Sequence, residues 1–226
     1  MTAPDRPYAR SVPGTIDRLP DLEIPGHRPS QPDGADHPMR VMTRRAAGLE
    51  GPPWDTGARR EVAALFDGLA AEWHTRTSPE RARVVDDAFD RGDVGAGGSA
   101  LELGSGIGAY TGVLAERFGR VVAVDLSLEM LRLAAQGPGH RVLADAHRLP
   151  LADGSVDAAV LVNMLLFPEE LDRVLAPAGC VVWVNSSGEA TPIHLMPDEV
   201  VEALPGAWTG TWARAGTGLW TVLRRR

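Results

Sequence analysis

The chain has 226 residues, enough for one well-buried α/β core with an appendage and too few for two full domains of usual size. A formal net charge of -7 argues against a general affinity for nucleic acid or for an anionic membrane surface. The longest apolar run, 158–167, is short of a membrane span and the first ten residues lack a signal-peptide core, so a cytoplasmic protein acting on small or neutral molecules is expected. All 23 basic residues are arginine and the single cysteine is Cys180, which excludes lysine Schiff-base and phosphate-loop chemistry, an internal disulfide and a cysteine-rich zinc site.

Ten of the 18 prolines fall in residues 1–53, and no apolar periodicity survives there, so residues 1–58 are read as an irregular arm. From Arg59, the residues Val62, Leu65, Phe66, Leu69, Ala70 and Trp73 recur at the spacing of one helical face. Ser78-Pro79-Glu80 then opens a second helix whose apolar face is Val84, Val85, Ala88 and Phe89 and which ends near Gly92. Residues 59–98 are expected to form a helical lid.

After Ser99, short apolar runs alternate with helical segments, the pattern of a parallel sheet covered on both faces. Strands are placed at Ala100 to Leu103, Val121 to Val124, Arg141 to Ala144, Ala158 to Val162 and Val181 to Val184. Helices lie between them near Gly108 to Phe118, Ser127 to Ala135 and Pro168 to Leu175, with a short one at Asp198 to Leu204. The last two apolar segments, Ala207 to Arg214 and Gly218 to Leu223, are joined by only Ala215-Gly216-Thr217, which suits an antiparallel hairpin.

The run Leu101-Glu102-Leu103-Gly104-Ser105-Gly106-Ile107-Gly108 ends a strand in a glycine loop just before a helix, where bare backbone can meet a ligand. The spacing of Gly104, Gly106 and Ala109 also satisfies a dinucleotide fingerprint. Seventeen residues after Gly108, the next strand ends in Asp125, whose carboxylate can accept from both hydroxyls of a ribose or favour the start of the helix at Ser127. An adenosine ligand is implied, common to NAD and S-adenosylmethionine.

Glu102-x-Gly104-x-Gly106-x-Gly108 followed by Asp125, then Asp145-Ala146 and the run 149–157, resembles the class I S-adenosylmethionine-dependent methyltransferases, in the small-molecule branch that includes quinone methyltransferases. The resemblance covers residues 99–226. It implies a Rossmann-like α/β fold with a seven-stranded sheet, mostly parallel with an antiparallel C-terminal hairpin strand, and helices on both faces. It implies S-adenosyl-L-methionine as cofactor, held by Trp73, Glu102, Gly104, Ser105, Gly106, Gly108, Asp125, Leu126, Met130, Asp145, Ala146 and Asn163. Asp145 would accept from the adenine amino group.

A sulfonium methyl group is already activated, so positioning is the protein's main task, and a base is useful only where the acceptor must lose a proton. Candidates for that catalytic group are Asn163, then Asn185, Ser186 and Ser187, at strand ends where open α/β sheets place ligands. His74 and His194 have the chemistry of a base, although a lone histidine at a helix end more often stabilises that end. No spacing suggests a metal cluster. The acceptor is expected to be a small molecule or a peptide, with no nucleic acid or membrane partner. A non-catalytic methyltransferase-like subunit is the alternative, and an NAD(P)-dependent oxidoreductase fits less well because little chain remains for a second mononucleotide.

Overall fold

In the computed structural model, which describes residues 15–26, 36–134 and 137–226, the first half of the chain supplies β1 (Ile16–Arg18), α1 (Pro38–Ala46), α2 (Thr56–Leu69), a 3-10 turn (Ala70–Arg76) and α3 (Pro79–Arg91). The second half alternates as the sequence suggests: β2 (Ser99–Leu103), α4 (Thr111–Arg117), β3 (Arg120–Asp125), α5 (Leu128–Leu133), β4 (His140–Leu143), β5 (Val156–Val162), α6 (Pro168–Val174) and β6 (Leu175–Asn185). A short 3-10 turn (Gly188–Ala190), α7 (Pro197–Ala203), β7 (Trp208–Ala215) and β8 (Gly218–Arg225) complete it.

One sheet results, in the order β1-β7-β8-β6-β5-β2-β3-β4. Among the described strands only β8 runs against its neighbours, pairing antiparallel with both β6 and β7. Both faces are buried, which explains the near-continuous apolar character of the central strands. Leu101, Leu103, Ala159, Leu161, Val181 and Trp183 enter one apolar cluster with α6 and α7, whereas Ala100, Ala158, Val160, Val182 and Val222 enter the other with α3 and α4.

Three features depart from expectation. The sheet has eight strands, not seven, because Ile16–Arg18 pairs parallel to Gly210–Trp212 and covers the edge that β7 would otherwise leave open. Three residues ahead of Pro20 are too few to show a period. The same stretch, read as irregular, also contains α1, opened by Pro38 and capped by His37 Nδ1, which accepts from Met39 N at 3.2 Å. The residues of that arm at 1–14 and 27–35, His27 among them, lie outside the described residues, as does the end of the helix expected to reach Ala135.

Finally, the segment 59–98 divides in two. α3 is part of the core: Val84, Val85, Ala88 and Phe89 are buried, and its Asp87 accepts from Trp220 Nε1 at 2.6 Å and from Arg91. α2 buries only Ala58 and Val62 and lies over the loops at the carboxyl ends of β2 and β3.

Candidate functional site

The glycine loop after β2 turns through left-handed backbone at Gly104 (φ 69°), Gly106 (φ 54°) and Gly108 (φ 78°), conformations that a side chain disfavours. Gly104 has a second reason to be bare: a Cβ there would lie 2.6 Å from Met164 Sδ. Gly104 N and Ser105 N both donate to Val124 O, which ties the loop to the end of β3. Asp125, the last residue of β3, then holds two backbone amides, Gly106 N at 2.7 Å and Ser127 N at 2.8 Å, one on each carboxylate oxygen. Burial raises its carboxyl above the usual range, against the pull of those amides.

Glu102 lies beneath the loop with 2% of its surface exposed. Its Oε2 accepts from Thr111 Oγ1 at 2.5 Å, while Oε1 is buried without a hydrogen-bond partner. Burial pushes this carboxyl up to about 7, Asp125 adding to the effect and Thr111 and Arg141 opposing it. Ser105 Oγ is likewise buried and unpartnered. Two orphaned polar atoms beside a glycine loop are what a site for a polar ligand leaves behind, because native cores seldom tolerate such atoms otherwise.

Past β4, Asp145 Oδ1 accepts from His147 N at 2.9 Å and Oδ2 from Trp54 Nε1 at 3.2 Å, with Arg59 Nε 3.9 Å away. Ala146, next in the chain, is buried in the apolar cluster that also includes Leu149 and Phe167. Trp73, in the 3-10 turn after α2, stands over the glycine loop: a Cβ on Gly106 would lie 3.4 Å from Trp73 Nε1 and 4.0 Å from Met130 Sδ. Its ring meets Phe66 edge-on, with centroids 5.6 Å apart. Asp67 of α2 accepts from Ser127 Oγ at 2.5 Å and from Glu129 N at 3.3 Å.

The structure therefore gathers Trp73, Glu102, Gly104, Ser105, Gly106, Gly108, Asp125, Met130, Asp145 and Ala146 around adjoining loops, with half-buried Leu126 between Asp125 and Ser127. Asn163, expected as a catalytic and cofactor-binding candidate, has its side chain engaged with Ser186. Its backbone is left-handed (φ 52°), its Oδ1 accepts from Ser186 N and its Nδ2 donates to Ser186 Oγ, both at 2.8 Å. It clamps the ends of β5 and β6 together. Asn185 is also engaged, donating from Nδ2 to Ile193 O at 2.7 Å and accepting from Trp183 Nε1. His74 is exposed at the end of the 3-10 turn, whereas His194 is buried with neither ring nitrogen hydrogen-bonded. Trp54, Arg59, Asp67 and Thr111 were not foreseen, since their partners are distant in sequence or follow from the fold of α4.

Residues 101–182 match the family described as methyltransferase domain. A malonyl-[acyl-carrier protein] O-methyltransferase of Marinomonas sp. (strain MWYL1) is 31% identical over 148 residues, covering 59% of this chain and 54% of the relative. A demethylmenaquinone methyltransferase of Mycobacterium sp. (strain JLS) is 32% identical over 163 residues, 64% of this chain and 69% of the relative. The chain thus spans about half the length of the first and just over two thirds of the second. Among solved structures, a DhpI-SAH complex shares the fold with a TM-score of 0.64 at 21% identity, over 76% of this chain and 98% of the other. Taken with the glycine loop, Glu102, Asp125 and Asp145 at the ends of successive strands, these likenesses show that the chain belongs to the class I S-adenosylmethionine-dependent methyltransferase family.

Proposed function

We propose that this chain holds S-adenosylmethionine across the carboxyl ends of β2, β3 and β4 and directs its methyl group to a small-molecule or peptide acceptor. The observation that carries the reading is the pair of buried, unpartnered atoms Glu102 Oε1 and Ser105 Oγ beside a loop whose glycines leave the backbone open. When bound, the donor supplies a methyl group already activated by its sulfonium. Glu102 would accept from the donor's ammonium, Asp125 from its ribose and Asp145 from its adenine. Trp73, poised over Gly106, would exclude water from that face.

Asp145 already accepts from Trp54 of the segment leading into α2, and Asp67 of α2 already holds Ser127 and Glu129. Closure of α2 and recognition of the donor are then coupled through the same loops. The name of the Marinomonas relative records transfer to oxygen, which supports an enzyme able to serve such an acceptor. A cytoplasmic setting accords with a lone, buried thiol at Cys180, and no helix among the described residues is long and apolar enough to cross a membrane.

A labelled-methyl transfer assay over an extract fractionated by size tests the reading. Label should pass into the small-metabolite or peptide fractions and S-adenosylhomocysteine should form in step. Label retained wholly on the donor, with S-adenosylhomocysteine still bound by the protein, would favour a non-catalytic subunit.

A further inference from the structure

His194 has 4% of its surface exposed and buries both ring nitrogens without a hydrogen-bond partner. A buried polar group without a hydrogen bond destabilises a fold, so an imidazole kept in this condition needs an explanation other than packing. The segment carrying it is fixed from both sides, by Asn185 Nδ2 donating to Ile193 O at 2.7 Å and by Leu195 in the core.

Four charged residues from four elements act electrostatically on the ring: Arg40 of α1, Glu189 of the 3-10 turn after β6, Glu199 of α7 and Arg214 of β7. They are already matched. Arg214 pairs with Glu189, Arg40 donates to Glu189 O, and Glu199 pairs with Arg44. Two positive and two negative charges leave the surroundings of the ring close to neutral. Burial, helped by Arg40, pushes the imidazole down to about 4, so it is uncharged throughout the physiological range.

We propose that His194 receives the hydroxyl group of the methyl acceptor, taking its hydrogen bond and then its proton as the oxygen becomes methylated. This rests on the methyltransferase reading above and narrows it to O-methylation of a neutral hydroxyl. As the acceptor oxygen forms the new C–O bond, the methyl–sulfur bond breaks and its electron pair stays on sulfur. The oxygen, now bearing both methyl and proton, is a strong acid, so even a weakly basic imidazole removes the proton and later releases it to water.

Other acceptor types fit this imidazole poorly. An amine attacks without losing a proton first, and the resulting ammonium is too weak an acid to protonate such a ring. A carbon acid demands a much stronger base. A carboxylate would call for an uncommitted cation, yet Arg40, Arg44 and Arg214 already have partners. The carboxyl end of β6, from which this segment departs, opens on the same sheet edge as that of β2, two strands away and roughly 10 Å across at the usual spacing.

The test compares wild type with His194→Ala and His194→Gln, using S-adenosylmethionine labelled in its methyl group, the small-metabolite fraction of an extract, and mass fragmentation of the product. The expected product is an alkali-stable methyl ether. Both variants should transfer at least about 100-fold more slowly while binding S-adenosylhomocysteine within about twofold of wild type, and free imidazole should partly restore His194→Ala. A second readout needs no turnover: in protein loaded with S-adenosylhomocysteine, the His194 ring resonances should titrate near 4 and not near the ordinary value of about 6.5. Label in an N-methyl, C-methyl or methyl-ester product, undiminished transfer by both variants, or titration near the ordinary value would overturn the proposal. Absence of transfer by wild type overturns both readings, whereas failure of wild type to bind S-adenosylhomocysteine strikes the donor site itself.

Discussion

Glu102 is a buried carboxyl that is costly to the free protein and that the proposed donor would put to use. Its carboxyl is raised to about 7 by burial, above a reference value of about 4.3, so between those values the folded state binds more protons than the unfolded one. Stability therefore falls as pH rises through that window and levels off above it. An arriving ammonium reverses the preference by favouring the ionised carboxylate, so donor affinity should rise over the same window. Glu102→Gln is expected to flatten the dependence of Tm on pH between 5 and 8 and to weaken S-adenosylhomocysteine binding most at pH 8. Parallel Tm profiles for wild type and variant would show that Glu102 does not titrate there.

Glu102, the three loop glycines and Asp125 were legible in the sequence because a strand, a loop and a helix follow one another within a few residues. The Asp125 carboxylate holds Gly106 N and Ser127 N, the latter at the start of α5, where the sequence offered it as a charge favouring the helix. Trp54 and Asp67 were invisible because their partners, Asp145 and Ser127, lie 91 and 60 residues away. His194 could be nominated as a base, but its burial without a hydrogen-bond partner is set by residues distant in sequence, which no local pattern reports.

At the scale of elements, α2 and α3 carry apolar faces of the same spacing and play different parts. α3 buries Phe89 at 1% exposure beneath β6 and β8, whereas Trp73, just beyond α2, is half-buried between Phe66, Arg76 and the glycine loop. Periodicity identifies the face but not what covers it. Phe89→Ala should cost the ligand-free protein about 3–5 kcal/mol in urea denaturation. Trp73→Ala should cost no more than about 1 kcal/mol while speeding release of S-adenosylhomocysteine. The opposite ranking, with Trp73 the larger loss of stability and donor release unchanged, would assign Trp73 to the core and α2 to scaffolding.

The whole molecule is a doubly covered sheet whose carboxyl edge carries the glycine loop, Asp125 and Asp145. Its central strands were readable because burial on both faces demands unbroken apolar runs, and the final hairpin because its link is too short for a crossover. The N-terminal part was not. β1 is three residues long and depends on β7, while α1 places Met39, Thr43 and Ala46 against the core from a sequence rich in arginine and proline. Long-range pairing, not local preference, decides both. The sheet continues through β4 at its far edge, where Leu143 is 53% exposed.

The central claim is that this edge binds an adenosyl donor through Asp125 and its neighbours, and calorimetric titration of S-adenosylhomocysteine into the full chain tests it most directly. One molecule should bind per chain. Asp125→Ala, checked for folding by its Tm, should weaken binding by about 1.5–3 kcal/mol, the range for hydrogen bonds to a charged group. Absence of binding by the wild-type chain, or equal affinity in a folded Asp125→Ala variant, would contradict the account.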